Sequence, residues 1–415
     1  MSQHPPTLPD AQSSAAASAR RWLVVILVIA AALRVGWVLS RPTDEATLAL
    51  LPDQLQYLTL AQNLLAGDGY AFVDPRFAAG PEGGVVRAFR MPGYPLLVAA
   101  LGANVTAVRL VQALLDVATV AGAYMLARSL PGGPGRRPGL LAAAIVACNP
   151  FLIYFTGLLL SETLFACLLT WSLVLLLRRW WWGVLLAAAC VYAKPSAVLL
   201  PVAMGLAAAC GGGRAALAGG RAWVVRPAAG LGLTLLLLTP WAVRNLVVLD
   251  AWVWTTTNTG LTLYDGLHPA ATGASDQTFV NAMPQLLSMN EVARDTYLSE
   301  QAKAFVQAQP GQAARLAAAK LLRTWSPVPL SDAYGSRAYA AVAAGYAVPL
   351  YVLALAGLVR RGARYGKLVL LLPAVYLTLV HAATVGSLRY RVPAEPALAV
   401  LAAAALVQPR KGETA

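Results

Sequence analysis

Two carboxylates and five cations stand out in a chain that carries little charge. Asp53 opens the stretch PDQLQYLTLAQNLLAGDGYAF, and Glu162 lies in the apolar run NPFLIYFTGLLLSETLF. Arg90, Lys194, Arg244, Arg389 and Arg391 come from four distant parts of the sequence. A carboxylate can take a proton from a hydroxyl. Arg holds phosphate by a forked pair of hydrogen bonds, and Lys holds it as a point charge. Such a set suits a base beside an anion site, and an acid inside an apolar span is a functional position by default. Each residue also has a plainer use. Asp53 and Gln56 have capping-box spacing ahead of a stripe of Leu55, Leu58, Ala61, Leu64 and Leu65, with Gly67 as a stop. Glu162 can simply pair with a cation, and the cations can reach ordinary lipid head groups or loop acids.

The elements that must position these residues are membrane helices. Of 415 residues, 58% are hydrophobic and 12% charged, where a soluble domain carries about 25% charged. Apolar runs of roughly 18 to 22 residues recur, the length that crosses a bilayer as helix. No alternating ten-residue segments of a β-barrel stand out. The fold class expected is all-α and polytopic, with about ten transmembrane helices. The spans run near 22–40, 108–128, 138–155, 158–177, 180–194, 196–213, 228–246, 338–359, 367–386 and 390–407. Two long loops, 42–107 and 247–337, hold 13 of the 18 acids, while basic residues fill the short loops. That asymmetry places both termini in the cytoplasm and the long loops outside, in an inner or plasma membrane. It also explains the net charge of +14 without a nucleic-acid partner.

The organisation read from this pattern is a disordered cytoplasmic stretch 1–19 and a transmembrane catalytic module 20–246, whose first loop, 42–107, carries short amphipathic helices. The second loop, 247–337, forms a small lid with helices near 290–308 and 311–324, split by Pro310. The helices of 338–407 and a cytoplasmic tail, 408–415, follow. Arg34 and Asp116 fall at similar depth in the first two spans and read as a structural pair whose charges can be exchanged. Arg391 and Glu395 are spaced for a helical ion pair. Cys148, Cys167, Cys190 and Cys210 lack metal-ligand spacing and read as small core residues. The three histidines are scattered, and only His268 lies in a loop that can reach a site. Trp180 to Trp182, beside Arg178 and Arg179, read as an interfacial belt.

Four ordered pieces carry a resemblance to a known family. They are Asp53-Gln54-x-x-Tyr57 with Gly67-x-Gly69-Tyr70; Arg90-Met91-Pro92-Gly93-Tyr94-Pro95; Asn149-Pro150 through Ser161-Glu162-Thr163; and Pro240-Trp241-x-x-Arg244-Asn245 with Arg389-Tyr390-Arg391-x-Pro393. The set resembles the GT-C superfamily of integral-membrane glycosyltransferases, among them bacterial proteins related to protein O-mannosyltransferases and lipid A aminoarabinose transferases. The resemblance implies a sugar donor carried on a polyprenyl phosphate and a catalytic acid at Asp53. It further implies a second acid at Glu162 and phosphate contacts at Arg90, Lys194, Arg389 and Arg391. Tyr57, Tyr94 and His268 are the substrate-pocket candidates. Many relatives have a second acid beside the first-loop Asp, or Gly-Asn where this chain has Asp265-Gly266-Leu267-His268. No metal ligands are assigned and no cofactor is certain; a divalent metal stays open as an alternative without being indicated.

Transfer from a lipid phosphate releases a stable anion, so the demands are a base for the acceptor hydroxyl and fixed positive charge for the leaving phosphate. The function expected is an inverting hexosyl- or pentosyltransfer from a polyprenyl-phosphate sugar to an extracytoplasmic glycolipid, cell-envelope glycan or protein. A lipid-linked-sugar flippase predicts midplane charges and discontinuous helices in matching halves, whereas the unusual charges here cluster at one face beside a long loop. A polysaccharide polymerase or ligase shares the many spans and Arg-rich loops.

Overall fold

A computed structural model describes residues 9–131, 135–211, 220–330, 336–360 and 362–407, with side chains from residue 16 onward. The expectations for residues 1–8 and for the tail 408–415 lie outside the described residues. Residues 9–19, expected to be disordered, instead open the first helix, α1 (Pro9–Leu39). Pro at the first helical turn and the Ala-rich run behind it favour that extension.

The first loop carries α2 (Glu45–Ala49), α3 (Pro52–Ala66) and α4 (Gly93–Ala100). Between α3 and α4 a two-residue hairpin pairs Phe72 with Val86 and Val73 with Val85. Gly67 ends α3 at φ 85°, a left-handed position that the missing Cβ permits. Gly93 opens α4 where a Cβ would lie 2.6 Å from the carbonyl oxygen of Tyr192, so only glycine lets the two backbones meet.

The bundle follows as α5 (Val105–Ser129), α6 (Arg136–Ala147), α7 (Pro150–Thr156), α8 (Glu162–Arg178), α9 (Trp180–Ala193), α10 (Leu200–Ala209) and α11 (Ala222–Leu249). Asn149-Pro150 breaks α6 from α7 with a bend of 54°. Asn149 Oδ1 accepts from the amides of Phe151 and Leu152, and the Pro stands where no amide is needed. The second loop contributes α12 (Thr259–Gly266), α13 (Glu291–Ala308) and α14 (Pro310–Thr324), the last two at the expected positions on either side of Gln309-Pro310. Three helices close the chain: α15 (Arg337–Val359), α16 (Arg364–Ala383) and α17 (Glu395–Leu406).

Ala16–Leu39 of α1, α5, α11, α15 and α16 are long and apolar enough to cross a membrane, and the bent pair α6–α7 makes a sixth candidate. The other expected spans form shorter helices. At 1.5 Å per residue, the 17 residues of α8 reach about 25 Å, the 14 of α9 about 21 Å and the 12 of α17 about 18 Å, against a hydrocarbon core of about 30 Å. Chain-breaking residues set those lengths: Pro195 stops α9, and α17 starts only after Pro393. The helices share one apolar core, with α8 against α5 and α9, α10 against α11, and α15 against α17.

Two polar contacts anticipated from spacing are present. Arg34 Nε meets Asp116 Oδ2 at 2.6 Å with both side chains fully buried, and Arg391 Nη1 meets Glu395 Oε1 at 3.1 Å. All four cysteines are free; Cys167 and Cys190 are core residues, whereas Cys148 and Cys210 are exposed at helix ends.

Candidate active site

The α8–α9 hairpin brings the start of α8 beside the end of α9. Glu162 occupies the first turn of α8 and Lys194 caps α9, each at the helix end whose dipole favours its charge. Lys194 Nζ donates to Glu162 Oε1 at 2.7 Å, and Glu162 is 3% exposed. Its other oxygen, Oε2, has no hydrogen-bond partner among the described residues.

Asp53 approaches from the first loop. Pro52 starts α3 and Leu51 precedes it without a side-chain cap, so Asp53 sits inside the first turn and is not the N-cap that the spacing suggested. Its carboxylate is therefore available to other partners, and two guanidinium groups take it. Arg90 Nη2 donates to Oδ1, and Arg389 Nη1 donates to Oδ2 at 3.1 Å. Gln56, expected to cap, instead accepts from Arg90 Nε at 2.9 Å and from Nη2 at 2.6 Å. Burial pushes the Asp53 carboxyl up, but Arg90 and Arg389 beside it outweigh that and hold it well below the usual carboxylate range.

Arg389 links the two acids. It comes from the turn Leu388–Tyr390 between α16 and α17, and its Nε lies 3.5 Å from Glu162 Oε1. Arg389 is 30% exposed and Asp53 28%, so the cluster opens at the surface while Glu162 and Lys194 line its interior. Three cations, Arg90, Lys194 and Arg389, thus face two carboxylates and leave a surplus of one positive charge.

The turn that carries Arg389 is held by the second loop. Gly386 N donates to the carbonyl of Gly273 at 3.0 Å, and the fully buried Lys320 of α14 donates to the carbonyl of Ala383 at 3.5 Å. Burial pulls the Lys320 ammonium down to about 8 against the opposing pull of Asp265. An unfolded Lys320 binds its proton up to about pH 10.4, so between about 8 and that value the unfolded state holds more protons than the folded one. Stability in detergent is expected to rise with pH across that window. A Lys320→Met variant should flatten the rise, as read by thermal unfolding at stepped pH; an unchanged slope would contradict the burial argument.

Not every expected site residue joins the cluster. Arg244 donates to the carbonyls of Arg87 and Tyr70 at 2.7 and 3.0 Å and to Asn245, with its guanidinium over Tyr70 and Trp241. Its donors fasten the first loop to α11. Arg391 is fully buried between Phe151, Tyr351 and Glu395, in the packing around α15 and α17. His268 stacks on Tyr264 and meets Phe279 in the second loop. Tyr57 lies under Arg90, 5.3 Å from its guanidinium, and Tyr94 packs edge-on beneath Tyr57 with its hydroxyl on Gln112. Tyr94 is fully buried and supports the floor of the site rather than lining it. Sequence reasoning passed over Gln56 as a partner, Tyr390 and His381. Tyr390 stood in the Arg-Tyr-Arg motif, but His381 had no local signal.

Asp53 meets cations through both oxygens and Glu162 through one, and among the described residues no group of three or more His, Cys, Asp and Glu is placed to hold a metal ion.

No family model and no curated protein matches the sequence. Solved structures do. The chain is similar to the archaeal oligosaccharyltransferase AglB from Archaeoglobus fulgidus in complex with an inhibitory peptide and a dolichol-phosphate, at 12% identity and a TM-score of 0.52 over 92% of this chain and 50% of that one. The apo form of the Archaeoglobus fulgidus oligosaccharyltransferase aligns at 14% identity and a TM-score of 0.54, with the same coverage. This chain therefore spans about half the length of those structures. ArnT from Cupriavidus metallidurans bound to undecaprenyl phosphate matches at 16% identity over 92% of this chain and 77% of that one, at a TM-score of 0.39. The chain shares its fold with these oligosaccharyltransferase structures, and among the described residues five helices, or six with the bent pair, are long and apolar enough to cross a membrane.

Proposed function

We propose that this chain is an inverting glycosyltransferase that moves a sugar from a polyprenyl-phosphate carrier to an acceptor outside the cytoplasm. The observation that supports it most is the single cluster in which Asp53 is held between Arg90 and Arg389 with Lys194 and Glu162 behind. A cluster with surplus positive charge suits a phosphate anion, whose charge develops as the glycosidic bond breaks. Asp53 is its most exposed carboxylate and the one placed to accept a proton from an acceptor hydroxyl. Glu162 keeps Lys194 and Arg389 together. A single displacement with an incoming hydroxyl on the opposite face of the sugar inverts the anomeric centre. A carrier of this chemistry fits the fold: the AglB structure holds a dolichol-phosphate.

In this reading both termini are cytoplasmic and the cluster faces the opposite side, where the two long loops and most acids lie. The sugar is a hexose or pentose, and the acceptor is a glycolipid, envelope glycan or protein. The test is transfer of radiolabelled sugar from polyprenyl phosphates by the purified protein in detergent, with native membrane lipids and proteins as acceptors. Label is expected in one acceptor fraction. No donor consumption, together with labelled lipid crossing reconstituted vesicles, would establish a flippase in its place.

A further inference from the structure

Within the last turn of α16, His381 is an odd residue for a membrane-type helix. It is 5% exposed, Nδ1 lies 3.3 Å from Thr384 Oγ1, and Nε2 has no hydrogen-bond partner among the described residues. A buried polar atom without a partner is destabilising, so the single contact with Thr384 does not by itself account for a histidine here. Its main specific contact is with Tyr390. The two rings lie parallel, with centroids 3.7 Å apart and an interplanar angle of 1°.

Tyr390 in turn touches two cations of the cluster. Lys194 Nζ is 5.3 Å and Arg389 Cζ 5.1 Å from its ring centroid, within the range in which a cation is drawn to an aromatic ring. Arg389 Nη2 also donates to the Tyr390 hydroxyl at 3.4 Å. Both cations reach the same oxygen of Glu162, so they stand close together and repel each other. The Tyr390 ring and the Glu162 carboxylate touch both of them, while Asp53 holds Arg389 from its other side.

We propose that His381 is a positioning residue: its ring pins Tyr390, and Tyr390 sets the spacing of Lys194 and Arg389 for an incoming phosphate. His381 acts through shape and stacking, so another flat ring can replace it. The inference rests on the proposed function, because the anion served is the phosphate of the lipid carrier.

The test measures binding of farnesyl phosphate, with farnesol as the uncharged control, to the purified full chain in detergent. An aromatic pair contributes about 0.5–1.5 kcal/mol beyond burial, or about twofold to tenfold in affinity. His381→Ala is expected to weaken farnesyl phosphate binding by about that factor and to leave farnesol binding unchanged. His381→Phe is expected to restore it. Tyr390→Leu should weaken binding as well, and adding His381→Ala to it should cost nothing further. Should His381→Ala fail to fold, His381→Phe with wild-type affinity beside a weakened Tyr390→Leu carries the same conclusion. Wild-type affinity in His381→Ala, or a Phe variant that binds as poorly as Ala or Tyr390→Leu, overturns the role of His381 while leaving the anion site intact. Equal binding of farnesol and farnesyl phosphate by the wild type would remove the anion site itself, and the proposed function with it.

Discussion

Replacing Asp53 by Asn is expected to lower sugar transfer by about 10²–10⁴ while tightening the grip on the lipid phosphate. The first half follows from losing a positioned base, whose contribution is of that order. The second half follows from geometry. In the resting cluster both oxygens of Asp53 are taken, one by Arg90 and one by Arg389. A phosphate that seeks those guanidinium groups must compete with the carboxylate, and linkage makes the competition reciprocal. A neutral side chain at position 53 removes the charge that competes with the anion for Arg90 Nη2 and Arg389 Nη1. By the same exchange, donor binding draws the two cations away and raises the basicity of the wild-type carboxylate. Affinity for farnesyl phosphate and turnover measured on the same Asp53→Asn preparation check both halves. Weaker phosphate binding would make Asp53 a scaffold for Arg389, and near-normal turnover would end its assignment as the base. The pH dependence has a definite sign. A carboxyl whose folded value is depressed contributes stability above its unfolded value and loses it as pH falls through the folded one. The base form of Asp53 therefore persists through the whole neutral range, and no acid limb of kcat/KM between about pH 5 and 8 is expected from it.

The other large effect lies outside the cluster, at Arg34 and Asp116. Removing one partner of a buried ion pair leaves an uncompensated charge and costs about 3–5 kcal/mol. Either Arg34→Leu or Asp116→Leu is expected to lower the thermal midpoint in detergent sharply and to cut the yield of monodisperse protein. The sequence reading held that the two charges can be exchanged without loss. The structure revises this. Arg34 also donates from Nη1 to the carbonyls of Ala30 and Ala147, at 3.2 and 2.8 Å, and from Nη2 to that of Val146 at 3.1 Å. An aspartate at 34 would face those acceptors at the end of α6 with no donor to offer, and an arginine at 116 would lack them. The double exchange is expected to fold no better than the single variants. Recovery to wild-type stability in the exchanged protein would show that the pair interaction alone matters and that the carbonyl contacts do not.

Much of the architecture was legible because its signals are local. Pro and Gly ended helices where the sequence placed the stops, at Pro195 after Lys194, at Pro310 opening α14 and at Gly67 after α3, whereas the break at Asn149-Pro150 falls inside the expected span 138–155. Apolar run length gave the helices themselves, although it overstated how many are long enough to span, since a run continues through a Pro or a turn that ends a helix. Pairs within a few residues, such as Arg391 and Glu395, follow from helical spacing. Even Arg34 with Asp116 could be matched, because two buried charges of opposite sign at similar depth have few other partners.

The composition of the cluster was a different matter. Sequence supplied five cations of equivalent chemistry, and only packing separated Arg90, Lys194 and Arg389 from Arg244 and Arg391. Arg389 and Arg391 are two residues apart at adjoining 3₁₀ turns, where about three residues complete a turn, so their side chains leave in different directions. One reaches Asp53 and the other the interior beside Tyr351. Neither residue type nor spacing says which. The capping-box spacing at Asp53 was equally silent, because the helix starts one residue earlier at Pro52 and turns the carboxylate outward. His381 was invisible for the same reason, since its partner Tyr390 becomes a neighbour only when the chain folds back after α16. The helices, most of their breaks and the supply of charge are local properties of the chain, whereas which charges meet depends on packing between segments from 32 to 336 residues apart.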